Sequence, residues 1–126
     1  MKRALLLAAA ALLAACAEMP GTPTGLMDVA ERPAEKALLS GIRAYDDAQY
    51  AEAERQIGVA LRTGLASAKD RAAANKYLAF IYCTTNRPAQ CEAAFRAAHQ
   101  ADPTFALSKS EAGHPIWGPV YKRTQP

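Results

Sequence analysis

Residues 76–103 read KYLAFIYCTTNRPAQCEAAFRAAHQADP, and this segment carries the clearest structural pattern of the chain. Apolar residues recur every three or four positions on both sides of Thr85-Asn86-Arg87-Pro88, which is typical of two amphipathic helices joined by a turn. Pro88 suits the first position of the second helix, because its missing N–H is not needed there. The stretch therefore predicts a helical hairpin.

The same periodicity extends towards the N-terminus and predicts two earlier helices. The first carries Leu38, Leu39, Ile42 and Tyr45, and the second carries Tyr50, Ala53, Ile57, Ala60 and Leu61 and ends near Gly64. The helix that precedes the Thr85 turn should begin near Ala68, and the helix after it should stop before Asp102-Pro103. No segment alternates with period two, so we expect an all-α domain.

The two predicted hairpins resemble tetratricopeptide repeats, which are helix–turn–helix units of about 34 residues. Leu78-Ala79-x-x-Tyr82 resembles the core of the first helix, and Cys91, Phe95, Ala98 and Pro103 fall on the small, aromatic, small and terminal-proline positions of the second. An earlier copy has Gly41 at its first small position and Tyr50, Ala53, Ile57, Ala60 and Leu61 in its second helix. That copy departs from the pattern at Ser40, Ala44 and Leu65, and it exceeds the usual repeat length by about four residues between Thr63 and Ala68. The alternative is a generic array of four helices with coincidental spacing.

Two repeats leave an open end, and stacked repeats usually need about three units or a capping element to be stable. Residues 104–126 are predicted to supply it. Ser108-x-x-Glu111 has the pattern of a capping box at a short helix, which Gly113-His114-Pro115 would end. Ile116, Trp117, Val120 and Tyr121 are then expected to cover the last repeat, with Trp117 serving as core or cap rather than as a ligand platform.

The N-terminus has the pattern of a secretory signal in residues 1–15. Lys2 and Arg3 precede an unbroken apolar run from Ala4 to Ala15, which is too short to span a bilayer. Leu13-Ala14-Ala15-Cys16 resembles the bacterial lipobox, which implies cleavage before Cys16, a lipidated Cys16 thiol and an acylated amino terminus. Ala17 in the next position favours the outer membrane, facing the periplasm. The alternative is an ordinary cleaved signal with an incidental Cys16.

Residues 16–33 are predicted to be a flexible tether that joins the lipid to the repeats of residues 34–103, since prolines, glycines and threonines are frequent there. Loss of Lys2 and Arg3 with the signal leaves 13 of the 15 basic residues against 12 acidic ones. The near balance, without a clustered basic face, gives no indication of nucleic-acid binding.

The cysteines that remain after Cys16 form an even pair in an oxidising compartment. Cys83 lies near the end of one helix and Cys91 in the first turn of the next, so a tight hairpin would bring them together. We therefore expect a structural disulfide. A zinc site from Cys83, Cys91, His99 and His114 is a weak alternative, because their spacing matches no known ligand pattern.

No sequence pattern of an active site is present. The chain has no Gly-rich phosphate loop, no Gly-x-Ser-x-Gly and no His-Glu-x-x-His, and its carboxylates are scattered along helices. The sequence therefore favours a protein that is not an enzyme, with no cofactor, no metal and no small-molecule substrate.

The resemblance to tetratricopeptide proteins implies protein binding on the concave face formed by the first helix of each repeat. By register, that face would carry Leu38, Ile42, Tyr45, Lys76 and Phe80, which would suit an amphipathic helix or an extended peptide. The alternative is that the C-terminal segment or tight packing fills the groove and leaves only a scaffold.

The C-terminal half of the chain is similar to small proteobacterial tetratricopeptide lipoproteins. The similarity begins at Lys76 and includes Glu111-Ala112-Gly113-His114-Pro115-x-Trp117-Gly118-Pro119-Val120-Tyr121. That group implies an adaptor or scaffold in a cell-envelope complex, accessories of type VI secretion among them. Tetratricopeptide lipoproteins also serve outer-membrane assembly, pilus biogenesis and peptidoglycan synthesis, and no residue here separates these roles.

Overall fold

The computed structural model describes residues 32–126, and all the regular structure in that range is helical. The all-α prediction is confirmed for these residues. The predicted signal peptide, Cys16 and nearly all of the predicted tether lie outside the described range. In chain order, the helices are α1 (Pro33–Asp46), α2 (Tyr50–Thr63), α3 (Ala68–Thr84), α4 (Pro88–Ala101), α5 (Lys109–Ala112) and α6 (Gly118–Thr124).

The helices begin and end close to the places that the sequence predicts. Pro33 and Pro88 occupy first-turn positions of α1 and α4, where a missing N–H is harmless. Helix α1 thus begins at the last residue of the predicted tether. At α5 the predicted capping box is confirmed: the Glu111 N–H donates to the Ser108 hydroxyl, and the Ser108 N–H donates to the Glu111 carboxylate.

The α1–α2 and α3–α4 hairpins are two copies of one backbone pattern. Each turn has three residues with a left-handed one in the middle, Ala48 in the first and Asn86 in the second, both at φ 59°. In both turns the N–H of the next residue donates to a carbonyl in the last turn of the preceding helix, at 2.8 Å. Helices α2 and α4 begin directly after these turns, and each has 14 residues.

Small residues hold the two helices of each hairpin close together. A β-carbon at Gly41 would lie 2.6 Å from Ile57 Cγ1 and 3.3 Å from the Ala53 carbonyl oxygen, so α1 passes almost directly against the α2 backbone. In the second hairpin the corresponding residue, Ala79, is fully buried. Equivalent positions of α2 and α4 are buried in both hairpins: Ala53 and Cys91, Ile57 and Phe95, Ala60 and Ala98.

The C-terminal segment, residues 104–126, folds back over the second hairpin. Its Tyr121 ring meets Phe95 edge-on with centroids 5.4 Å apart, and the Leu107 N–H donates to the Tyr121 hydroxyl oxygen at 3.1 Å. Trp117 and Val120 are buried, as a covering role requires, whereas Ile116 is 51 % exposed and does not cover the second hairpin. The expectation for Ile116 was therefore wrong, because it lies in the turn before α6, with its side chain pointing outwards.

The buried cluster is continuous and lies within residues 34–121. A chain that begins at residue 17 thus retains the whole of this core. None of the helices in residues 32–126 combines the length and apolar character needed to cross a bilayer.

Candidate partner-binding face

The five side chains predicted to form a binding face differ widely in exposure. Leu38 and Phe80 are buried, with 5 % and 3 % of their surface exposed, so neither offers much contact area to a partner. Ile42 and Tyr45 are half-buried at the edge of the core. The Lys76 side chain retains 21 % of its surface and forms an ion pair within the chain. The face is therefore divided into a covered half on α3 and an open half beside α1.

The C-terminal segment covers the α3 half. The Trp117 ring is stacked on Phe80 with centroids 4.1 Å apart, and the His114 and Trp117 rings are stacked with centroids 3.4 Å apart. The Trp117 indole N–H donates to the Glu111 carbonyl at 2.8 Å, which satisfies its one polar atom. At Phe80 the arrangement is that of the filled-groove alternative.

Lys76 binds the same segment through charge. Its Nζ lies 3.0 Å from a Glu111 carboxylate oxygen and also lies over the Tyr77 ring, 5.0 Å from the centroid. Burial raises the pKa of Glu111, but the hydrogen bonds from Ser108 and the Lys76 ammonium outweigh it and hold that pKa below its usual range. Glu111 therefore carries a negative charge at neutral pH and ties the α5 turn to α3.

The open half is a patch of half-exposed apolar and tyrosine side chains, which we name the tyrosine strip: Ile42, Tyr45, Tyr50 and Tyr77. The Tyr45 ring lies 5.6 Å from the Tyr50 ring and 5.1 Å from the Tyr77 ring, between centroids. Tyr50 is 37 % exposed. Desolvation, with smaller contributions from Tyr50 and Tyr77, raises the pKa of Tyr45 to about 12, so this hydroxyl stays a neutral hydrogen-bonding group at physiological pH.

Two tyrosines of the strip, Tyr50 and Tyr77, were not among the predicted face residues, for different reasons. Tyr77 lies three residues before Phe80 on α3, a spacing that places both on one side of a helix. Register alone could have found it. Tyr50 is the first residue of α2, and only the tight turn at Ala48 brings it back beside Tyr45.

Cys83 and Cys91 lie at disulfide-bonding distance, with their α-carbons 5.2 Å apart. The bond would join the end of α3 to the first turn of α4, across the turn that contains Asn86. Both residues are buried, Cys91 completely, so the pair belongs to the core of the second hairpin. A loop this short would contribute about 2.5 kcal/mol in the chain-entropy account.

An ion pair connects the two hairpins. The Arg87 guanidinium donates to both Glu54 carboxylate oxygens, at 2.8 and 2.7 Å, and lies over the Tyr82 ring. The hydrogen bonds from Arg87 hold the pKa of Glu54 below its usual range.

Over residues 32–126 there is no group of three or more His, Cys, Asp or Glu side chains arranged to hold a metal ion.

Comparison with known proteins gives no relative. The chain matches no protein-family model, no curated protein and no solved structure.

Proposed function

We propose that this protein is a lipid-anchored, tetratricopeptide-like adaptor that binds a protein partner in a cell-envelope complex. The repetition of the two hairpins supports the repeat assignment, since their turns share backbone angles and hydrogen bonds and their buried positions correspond. Arrays of such hairpins bind proteins through the side formed by the first helix of each unit. In this chain those helices are α1 and α3.

The anchor is proposed from sequence alone. Leu13-Ala14-Ala15-Cys16 resembles a lipobox, and three acyl chains on Cys16 would give essentially permanent attachment, since one chain alone binds only marginally. The proposed location is the periplasmic face of the outer membrane. A type VI secretion system is one envelope machine in which such an accessory would serve.

The tyrosine strip is the observation that carries the proposed binding role. Its three tyrosine rings, one each from α1, α2 and α3, are clustered and partly exposed, and each combines an apolar ring with a hydroxyl group. Tyrosine supplies a large contact area at low conformational cost, which is why it is frequent in interfaces. The partner that suits this strip is an amphipathic helix or an extended peptide.

A second candidate function is a purely structural one. The C-terminal segment occupies the α3 half of the face, with Trp117 on Phe80 and Glu111 on Lys76. Under this reading the protein stabilises an envelope complex through its outer surface and binds no peptide. The roles in outer-membrane assembly and peptidoglycan synthesis are lesser alternatives.

The two candidates differ in what a charge placed on the strip would do. We expect affinity capture of the full-length protein from detergent-solubilised membranes to recover one stoichiometric partner. Ile42→Glu combined with Tyr50→Glu should abolish that recovery, because two carboxylates would have to be desolvated in the interface. Ile116→Glu is the matched control for the single Ile42→Glu variant, since it adds one carboxylate at an exposed apolar residue outside the strip.

Circular dichroism of each variant checks that the helices remain. The intact mass of the membrane-extracted protein reports the acyl chains on Cys16. Recovery that survives both strip substitutions would contradict the adaptor role and favour the structural candidate, and an unmodified Cys16 would contradict the anchor.

A further inference from the structure

Helix α1 carries a basic stripe on its outward side. Lys36, Leu39 and Arg43 follow one another at intervals of three and four residues, which places them in one row along the helix, and Arg32 is the N-cap residue directly before it. Lys36, Leu39 and Arg43 are exposed, and Leu39 has 46 % of its surface open to solvent. The row thus consists of cations that surround a single protruding apolar side chain.

The charges of this row are not neutralised within residues 32–126. Neither Arg32, Lys36 nor Arg43 forms an ion pair there, whereas Lys76 and Arg87 each bind a glutamate. Glu35, the neighbour of Lys36 in sequence, is buried and accepts the Ala66 N–H instead. The solvent-facing carboxylates of Asp46 and the adjoining Asp47 follow Arg43 by three and four residues, so the positive charge of the row is concentrated towards Arg32 and Lys36.

We propose that the α1 basic stripe, defined as Arg32, Lys36, Leu39 and Arg43, docks on an anionic lipid surface. Lysine and arginine near a negatively charged membrane are attracted to its headgroups, and an exposed leucine among them can enter the boundary with the acyl chains. The stripe begins at the end of the helix to which the proposed lipid tether connects, so this inference rests on the proposed anchor for its location in the cell. An acidic protein would complement the cations equally well, but it gives no reason for Leu39 to protrude.

The stripe and the tyrosine strip point in different directions. Successive residues of a helix are rotated by about 100°, so Tyr45 projects roughly 120° or more away from every member of the stripe. Docking through the stripe therefore leaves Tyr45 and the rings beside it accessible to a partner, whereas Ile42, three residues after Leu39, lies at the border between the two surfaces. The lipid would hold the protein at the membrane, and the stripe would set its orientation there.

The test uses the chain from residue 17 onwards, which lacks Cys16 and retains the whole core. In a flotation assay at low salt, the protein should co-float with vesicles made of equal amounts of phosphatidylglycerol and phosphatidylcholine. Pure phosphatidylcholine vesicles should not, and added salt should release it. Replacing Lys36→Gln and Arg43→Gln should weaken partitioning about 25-fold, since each basic residue contributes roughly a fivefold factor.

The matched control is Lys122→Gln with Arg123→Gln, an exposed basic pair on α6, which gives the same change in net charge. It should leave partitioning nearly unchanged, while Leu39→Ser should cause a smaller, severalfold loss. An equal loss in the control would show attraction by net charge alone and would overturn the proposal. The absence of binding to anionic vesicles would also overturn it. The same holds if the Lys36→Gln/Arg43→Gln variant no longer captures an envelope protein but still binds the vesicles as well as the unaltered chain does. No acyl chain or partner is present in the vesicle experiment, so its outcome is independent of the proposed adaptor function.

Discussion

Ala48 adopts a φ of 59° in the turn between α1 and α2. A residue with a β-carbon in this left-handed conformation is disfavoured by roughly 1–2 kcal/mol, and glycine avoids most of that cost. Asn86 occupies the equivalent place in the second hairpin, and asparagine tolerates the conformation better than alanine does. The two turns thus have the same backbone shape but different local strain.

Replacing Ala48→Gly should therefore stabilise the protein. We expect the free energy of unfolding to rise by about 0.5–1 kcal/mol, because the relief of steric strain exceeds the entropy that glycine adds to the unfolded chain. Urea unfolding followed by circular dichroism measures this. Asn86→Ala is the complementary variant and should lower stability; a loss of stability in Ala48→Gly would contradict the argument.

Two helical glycines allow the effect of steric crowding on stability to be distinguished from the effect of backbone flexibility. Gly41 lies where α1 presses on α2, whereas a β-carbon at Gly58 would meet only the mobile end of Arg62, with the nearest atom at 3.0 Å. Both glycines are inside helices, where alanine is intrinsically preferred by roughly 1 kcal/mol. Their local propensities are the same, and only their tertiary surroundings differ.

Alanine at these two positions should have opposite effects. Gly41→Ala should destabilise the protein by about 1–3 kcal/mol, because its methyl group would overlap Ile57 at an interface that leaves little room to adjust. Gly58→Ala should stabilise it by up to about 1 kcal/mol. Thermal and urea unfolding of the two variants provide the comparison, and stabilisation by Gly41→Ala would mean that α1 and α2 separate easily.

The sequence predicts the elements well because the signals that define helices are local. Apolar periodicity, Pro88 and the Ser108–Glu111 pattern act over a few residues, and α1 to α4 accordingly begin and end within a residue or two of prediction. The environment of Phe80 could not be predicted in the same way. Register placed it on the first-helix face, but its cover is Trp117, and no local signal indicates where a segment so distant along the chain will lie.

At the scale of the whole molecule, the C-terminal segment closes one end of the helical array. It does so with the Trp117–Phe80 stack, the Tyr121–Phe95 contact and the Lys76–Glu111 ion pair. The last of these depends on pH. The folded-state pKa of Glu111 is lowered, so its contribution is present above the unfolded value of about 4.3 and is lost as pH falls through the folded value.

Glu111→Gln should therefore reduce stability at pH 7 by about 0.5–1 kcal/mol and flatten part of the loss of stability below about pH 4. Melting curves of both proteins across that range, followed by circular dichroism, measure the difference. Glu92→Gln is the control, since its pairs with Arg96, one helical turn away, and with Arg123, at 3.9 Å, are both exposed, and we expect little change. A Glu111→Gln variant with an unaltered pH profile would contradict the role assigned to this ion pair.

Within residues 32–126 the C-terminal segment covers one end of the array, and this coverage bears on self-association. End-to-end stacking of helical repeats into a filament requires two complementary free ends on each molecule, and the C-terminal segment occupies one of them. Any contact between two copies through the remaining α1 end would join identical surfaces about a two-fold axis and would be complete at the dimer. The same segment that shields Phe80 thus limits how far assemblies of this chain can grow.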